Sequence, residues 1–253
     1  MLLTIDIGNS SIKFGVFDGD HLHSKFSIPT KPDSTVNDIS QAVGTRLDSQ
    51  ISAVIISSVV PELESPLVNF LKGRTGCDAV IVGSSFDFGL KIKYQPLSSA
   101  GTDRLIAAFA AVEKYGAPVI VCDFGTATTI DAVNSSREYL GGIIAPGMNT
   151  LAEVLHLKTS KLPRVPIERP ASVIGNTTSL SIQSGIFFGH VGLVEGILTR
   201  MATELGNKPK VVATGGFAAM IAEECGIIDV VDENLMIYGL HLLFSKNQFR
   251  APA

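Results

Sequence analysis

Two stretches of this chain repeat one another. With Asp123 laid on Asp6, an offset of 117 residues (123 − 6), "DIGNSSIKFGV" falls over "DFGTATTIDAV": Asp on Asp, Gly on Gly, Asn-Ser-Ser over Thr-Ala-Thr. A later apolar run entering a small-residue turn and a helix also recurs, as "AVIISSVVPEL" in the first half and "KVVATGGFAAM" in the second. An internal repeat constrains a fold more than any single motif, because each copy must build a similar unit. The expected architecture is α/β, with two related lobes, residues 1–115 and 116–253, facing each other across a cleft.

Turn chemistry and periodicity place the elements. Residues 2–7, 11–17 and 22–28 read as an antiparallel meander with turns at Gly8-Asn9 and Asp18-Gly19-Asp20. A helix over 35–48, a strand over 52–57, a helix from Pro61 and a strand over 78–82 follow. A loop from Ser98 feeds a helix over 103–115 that stops at Gly116. The second half begins again with strands at 117–125, 126–133 and 139–147 and a helix over 148–157. After the Pro-containing "KLPRVPIERP" come a long helix (178–205), a strand and turn (210–216) and helices at 216–224 and 233–245.

Composition narrows the partners. With 253 residues, 45% hydrophobic and 17% charged, the chain can bury well-covered sheets. The net charge of −4 and the lack of a Lys/Arg cluster argue against nucleic acid and anionic membrane, which call for a basic face. "MLLTIDIGN" lacks the charged start of a signal peptide, and no stretch gives about 18 apolar residues without charge or proline, so no membrane span is expected. Cys77, Cys122 and Cys225 are scattered among apolar residues, as reduced thiols of a cytoplasmic protein would be.

A strand–Asp–x–Gly–small–small–strand unit has two uses. A single copy serves as an ordinary hairpin turn. Two copies at matching points of a repeat favour ligand groups: each carboxylate ends a strand, the glycine admits close backbone approach, and the following amides and hydroxyls can meet phosphate oxygens. Two such hairpins can bracket a polyphosphate whose charge Mg²⁺ offsets. Thr102-Asp103 also reads two ways on spacing alone, and there it fits a helix N-terminus whose free amides an Asp satisfies. Neither G-x-x-x-x-G-K-[ST], nor G-x-G-x-x-G, nor H-E-x-x-H, nor G-x-S-x-G is present.

The paired "DIGNS" and "DFGTA" resemble the two phosphate motifs of the acetate/sugar kinase, Hsp70 and actin superfamily, and "TGGF" (214–217) resembles its adenosine motif. "AGTDRLIAA", with Gly-x-Asp-Arg opening a helix between them, is similar to the signature of type III pantothenate kinase. "GGIIAPG", "KLPRV" and "GNTTSLSIQSG" follow in that family's order, so the resemblance covers residues 2 to about 240. It implies two duplicated RNase H-like (actin-like ATPase) lobes and ATP-dependent phosphorylation of pantothenate at its primary hydroxyl, the entry step to coenzyme A. It also implies a homodimer with the active site near the subunit interface.

The resemblance assigns roles residue by residue. Asp6 is the Mg²⁺-associated carboxylate (Mg²⁺ or another divalent cation), and Gly8, Asn9, Ser10 and Lys13 attend the phosphates. The family usually has Thr where Ser10 stands, which keeps the hydroxyl, and Lys13 reads equally as a strand lysine facing solvent. Asp123 helps hold K⁺ or NH₄⁺, with Gly125, Thr126 and Thr128 as phosphate neighbours and Gly215 in the adenosine turn. Asp103 is the catalytic carboxylate, a group able to orient the hydroxyl and accept its proton late in phosphoryl transfer. Arg104 offers a guanidinium fork to the pantothenate carboxylate. Tyr94, Gly101 and Thr102 line that pocket, and Thr178 reaches the pocket of the neighbouring subunit, although "GNTT" replaces the commoner Gly-Lys-Asn-Thr.

Gly185, Gly189, Gly192 and Gly196 fall on one face of the long helix, where each costs about 1 kcal/mol relative to Ala. They fit close packing, either inside the chain or between subunits. Two rival functions stay open from sequence: another small-molecule kinase of the sugar type, and a nucleotide-binding accessory regulator without turnover.

Overall fold

The computed structural model describes residues 1–47, 50–83, 85–96 and 99–247. Asp48 of the expected first helix and Ser98 of the loop expected before residue 103 lie outside them. The chain divides into two compact units. The first holds Met1–Leu90, Tyr94–Ala110 and the described residues from Asn234 onward; the second holds Lys91–Lys93 and Ala111–Glu233.

The first unit is built on β1 (Leu2–Ile7), β2 (Ser11–Asp18), β3 (His21–Pro29), β4 (Ala53–Ser58) and β5 (Ala79–Ile81), arranged β3-β2-β1-β4-β5. The meander is antiparallel, and β4 and β5 add parallel to it. Helix α1 (Val36–Val43) starts at a capping box in which Thr35 Oγ1 accepts from the Asp38 amide and Asp38 accepts from the Thr35 amide. It is shorter than the expected 35–48. Helix α2 (Pro61–Thr75) opens on proline and ends at Gly76, whose φ of 75° suits only a residue free of a Cβ penalty. Leu3, Ile5 and Ile7 pack with Ile39, Val43, Leu63 and Leu67 of these helices, so one face of β1 is core.

The second unit repeats the plan. A two-residue strand, β6 (Lys91–Ile92), and the helix α3 (Thr102–Tyr115) precede β7 (Val119–Phe124), β8 (Ala127–Val133) and β9 (Glu138–Pro146). Helices α4 (Met148–Lys158) and α5 (Thr178–Leu205) lead to β10 (Lys210–Thr214), α6 (Ala218–Ala222) and β11 (Val230–Val231), and α7 (Leu235–Lys246), like the start of α3, belongs to the first unit. The sheet order is β11-β10-β7-β8-β9-β6. With the added edge strand β6 set aside, that is the order of the first sheet, strand for strand. The two duplicated α/β units expected from the repeat are therefore present, down to which strands are parallel.

Cys122 and Cys225 are buried in the second core, where burial pushes both thiols up from their ordinary range; Cys77 is half-buried, and all three are free. Helix α5 corrects the expectation that no stretch is apolar enough for a span: among the described residues it is long and apolar enough to cross a membrane by length and composition alone. That apolarity serves packing, since Ile182, Ile186, Phe187, Val191, Val194 and Leu198 lie in the core of the second unit.

Candidate active site

Each unit presents a carboxylate at the C-terminal end of its central strand. Asp6 on β1 pairs with Lys13 on β2 and Ser57 on β4; Asp123 on β7 pairs with Thr129 on β8 and Thr214 on β10. Residues in register share a sheet face. Lys13 is half-buried on the face of Asp6, directly across the hairpin, rather than directed to open solvent. Asn9 and Ser10 stand exposed in the turn that follows Gly8.

The two hairpins differ by one residue. Four residues, 8–11, join the Ile7–Ile12 pair, but only three, 125–127, join Phe124 to Thr128. The offset of 117 before the turn therefore becomes 116 after it (129 − 13). A slip of one residue moves every side chain to the other face. Thr128 consequently lies with Phe124 on the core side, and the expectation that it neighbours phosphate is corrected: Thr129 takes the place beside Asp123. Thr128 Oγ1 instead hydrogen-bonds His190 Nε2 at 2.9 Å beneath the sheet. His190 is 2% exposed, and burial lowers its pKa, so the imidazole is held neutral.

Backbone contacts clamp both turns. Thr30, just past β3, donates its amide to Ser10 O and its hydroxyl to Gly8 O. In the second unit the amide of Gly147, just past β9, donates to Thr126 O, and Thr150 Oγ1 adds a bond of 2.7 Å to the same oxygen. A Cβ on Gly147 would come within 2.2 Å of Gly125 O. Thr126 is exposed and Gly125 half-buried at this turn.

Helix α3 carries the third group. Gly101 precedes it, Thr102 and Asp103 are half-buried in its first turn, and Arg104 is buried. Asp103 Oδ1 accepts the Arg104 amide at 2.8 Å, the bond expected of a helix N-terminus. A Cβ on Gly101 would meet that same oxygen at 2.5 Å. The Arg104 guanidinium lies 5.4 Å from the centre of the Tyr94 ring, a cation–π distance. The residues named from "AGTDR" and Tyr94 are thus assembled in one place. Thr214 and Gly147 fall inside the quoted "TGGF" and "GGIIAPG" without being singled out as site residues, and Ser57, Thr129 and His190 carried no comparable signal, since single small or buried residues inside apolar runs read as ordinary packing.

A family model described as type III pantothenate kinase matches residues 2–200. The chain belongs to this family. It is 44% identical over 254 residues to the type III pantothenate kinase of Brevibacillus brevis, covering 98% of this chain and 100% of that protein. The Geobacter sulfurreducens type III pantothenate kinase is 43% identical over 255 residues, with coverage of 98% and 100%. Among solved structures, a Baf family protein from Campylobacter jejuni superposes with a TM-score of 0.63 at 21% identity, covering 97% of this chain and 98% of that one. A ROK family protein from Streptococcus pneumoniae gives 0.52 at 12% identity, with coverage of 97% and 98%. At such identities these structures speak for the fold.

In this type III pantothenate kinase family member, Thr178 opens α5 and is exposed, next to Thr177, whose hydroxyl accepts the Leu180 amide at 3.2 Å. Further along the helix, a Cβ on Gly185, Gly189 or Gly192 would meet nothing within 4 Å, and on Gly196 only the Arg200 guanidinium. Gly185, Gly189 and Gly192 therefore face open space among the described residues, and only Gly196 is covered, by Arg200. Ile144, Leu157, Val173 and Ile174 of the same unit are also exposed apolar side chains.

Proposed function

We propose that the chain transfers the γ-phosphoryl group of ATP to the primary hydroxyl of pantothenate, the first step of coenzyme A biosynthesis, with Asp103 as the proton acceptor. The observation that carries the site assignment is Arg104, a buried guanidinium stacked on Tyr94 one residue from Asp103. A buried arginine is rare, and its planar fork suits a carboxylate such as that of pantothenate. Gly101 and Thr102 give the substrate access to this corner.

Asp6 takes the divalent cation, with Gly8, Asn9, Ser10 and Lys13 toward phosphate; Asp123 takes K⁺ or NH₄⁺, with Gly125 and Thr126 toward phosphate and Gly215 in the adenosine turn. The residues fit such cations. Each carboxylate stands beside a buried hydroxyl, Ser57 or Thr214, that has no hydrogen-bond partner among the described residues. No three His, Cys, Asp or Glu side chains converge among the described residues. A divalent ion held by one carboxylate, phosphate oxygens and water suits that arrangement. When bound, the cations offset phosphate charge; the protein's part is to orient and to accept the proton.

The open glycine stripe and the exposed apolar side chains of the same unit support a homodimer in which Thr178 serves the partner's pocket. A cytoplasmic enzyme without nucleic acid or membrane partners completes the reading. The test is ADP release with pantothenate, in K⁺ and in Na⁺, for wild type and Asp103→Asn. Turnover that requires pantothenate and K⁺ and falls by about 10²–10⁴ in the variant is expected. Undiminished turnover in Asp103→Asn would return Asp103 to helix capping. Nucleotide binding without pantothenate turnover would favour a sugar-type kinase or a regulator.

A further inference from the structure

Three buried side-chain atoms have no hydrogen-bond partner among the described residues, and two of them are the hydroxyls of Ser57 and Thr214. Their exposures are 0% and 1%. They hold the same position in the two units. Ser57 sits in parallel register with Asp6, and Thr214 sits in parallel register with Asp123. The offset that relates "AVIISSVVPEL" to "KVVATGGFAAM" is 157 (210 − 53), and 57 + 157 returns 214.

The faces agree as well. Ile5 and Ile56 point into the first core, so Asp6 and Ser57 share the opposite face; Cys122 and Ala213 point into the second core, so Asp123 and Thr214 do likewise. Neighbouring strands are about 4.8 Å apart, which sets each hydroxyl beside its carboxylate. Both pairs lie at the carboxyl ends of parallel strands, the edge at which open α/β sheets bind ligands.

A stranded buried hydroxyl destabilises a fold, and an apolar residue of the same size would remove the cost. Other buried hydroxyls of these sheets are satisfied: Thr4, two residues before Asp6 on the same face, donates to Gly15 O at 3.2 Å, and Thr128 is bonded to His190. The third stranded atom is the Nδ1 of His190; among buried hydroxyls the defect is confined to the positions beside the two carboxylates, and it occurs in both copies of the repeat. We infer that Ser57 and Thr214 are ligand-side groups. Each hydroxyl completes the polar shell of the cation, or of its bound water, that the adjacent carboxylate holds: the divalent ion for Ser57 and the monovalent ion for Thr214. The inference rests on the cation assignments proposed above.

The experiment is a thermal melt without pantothenate, on wild type, Ser57→Ala, Thr214→Val and Thr214→Ser. Each is measured ligand-free and with the β,γ-imido analogue of ATP, over series of Mg²⁺ and K⁺ concentration. Ligand-free Ser57→Ala and Thr214→Val should melt at or above the wild-type temperature. Ser57→Ala should need about tenfold more Mg²⁺, and Thr214→Val about tenfold more K⁺, to reach half of the nucleotide-induced shift. Thr214→Ser should behave as wild type. Lower ligand-free melting with unchanged cation midpoints would assign the hydroxyls to the fold and overturn the inference. Unchanged melting and unchanged midpoints would overturn it too, while leaving the nucleotide reading intact. A wild type that the nucleotide and Mg²⁺ fail to shift would remove both.

Discussion

Gly215 leaves vacant the space that Asp123 needs: a Cβ on Gly215 would lie 2.5 Å from Asp123 Oδ1 and 2.6 Å from the Phe124 amide nitrogen. Its φ of 92° is also one that L side chains rarely adopt. Gly215→Ala therefore incurs both backbone strain and a clash with the carboxylate. Urea unfolding should show a loss of about 2–4 kcal/mol. The K⁺ dependence of nucleotide binding should weaken in parallel, because the carboxylate can relieve the contact only by moving. Wild-type stability in this variant would mean that the turn has room to reshape.

The one-residue difference between the hairpins separates two adjacent threonines. Thr128→Val removes the partner of a buried histidine nitrogen and should cost about 1–3 kcal/mol of stability, with KM for ATP little changed. Thr129→Val, on the face of Asp123, should leave stability nearly intact and raise KM for ATP. Steady-state kinetics alongside urea unfolding on the two variants decides it; the reverse pattern would place Thr128 on the phosphate side.

Much of this was legible in the residues. The repeat set by Asp6 and Asp123 carries the strand order of both sheets, because a shared hydrophobic alternation and turn chemistry build the same meander twice. The match of Ala53 to Lys210 even holds through to the Ser57 and Thr214 pairings. The superposition failed just past the second turn, where a three-residue connection gives almost the same letters as a four-residue one but inverts the faces. β6 and β11, two residues each, are too short to show any period, and α7 joins the first unit from the far end of the chain, which no local pattern records. Ser57 carries no signal, and Thr214 only its place at the head of "TGGF", because one small polar residue at the end of an apolar run looks like the start of a turn.

Arg104 is predicted to read the substrate carboxylate. Arg104→Met preserves bulk and stacking on Tyr94 while removing the fork, and KM for pantothenate should rise by about 10–100-fold. Wild type should strongly prefer pantothenate over the corresponding alcohol, and the variant should treat the two nearly alike. An undiminished preference for the acid in Arg104→Met would move carboxylate recognition elsewhere.

His190 makes stability depend on pH. Burial lowers its pKa in the fold below the ordinary 6.5, so between those two values the unfolded chain binds more protons than the native one. Stability from this group is full above pH 6.5 and declines as pH falls below it. His190→Gln keeps a partner for Thr128 without the titration. Melting temperatures of the two proteins from pH 8 to pH 5 should diverge below about 6.5, wild type falling faster. Parallel curves would show that His190 keeps the same proton affinity folded and unfolded.

The glycine stripe of α5 tests the subunit proposal. Because a Cβ at Gly189 would meet none of the described residues within 4 Å, Gly189→Leu should leave the ligand-free fold intact as judged by circular dichroism. If α5 packs closely against a second copy, the leucine cannot be accommodated there, since close helix approach depends on small residues. Light scattering should then fall from twice the chain mass to once, and pantothenate turnover should drop with it, because the proposed role of Thr178 requires the partner. A dimer that survives with full activity would place the interface elsewhere. A monomeric variant with full activity would keep the interface at α5 but remove Thr178 from the neighbouring pocket.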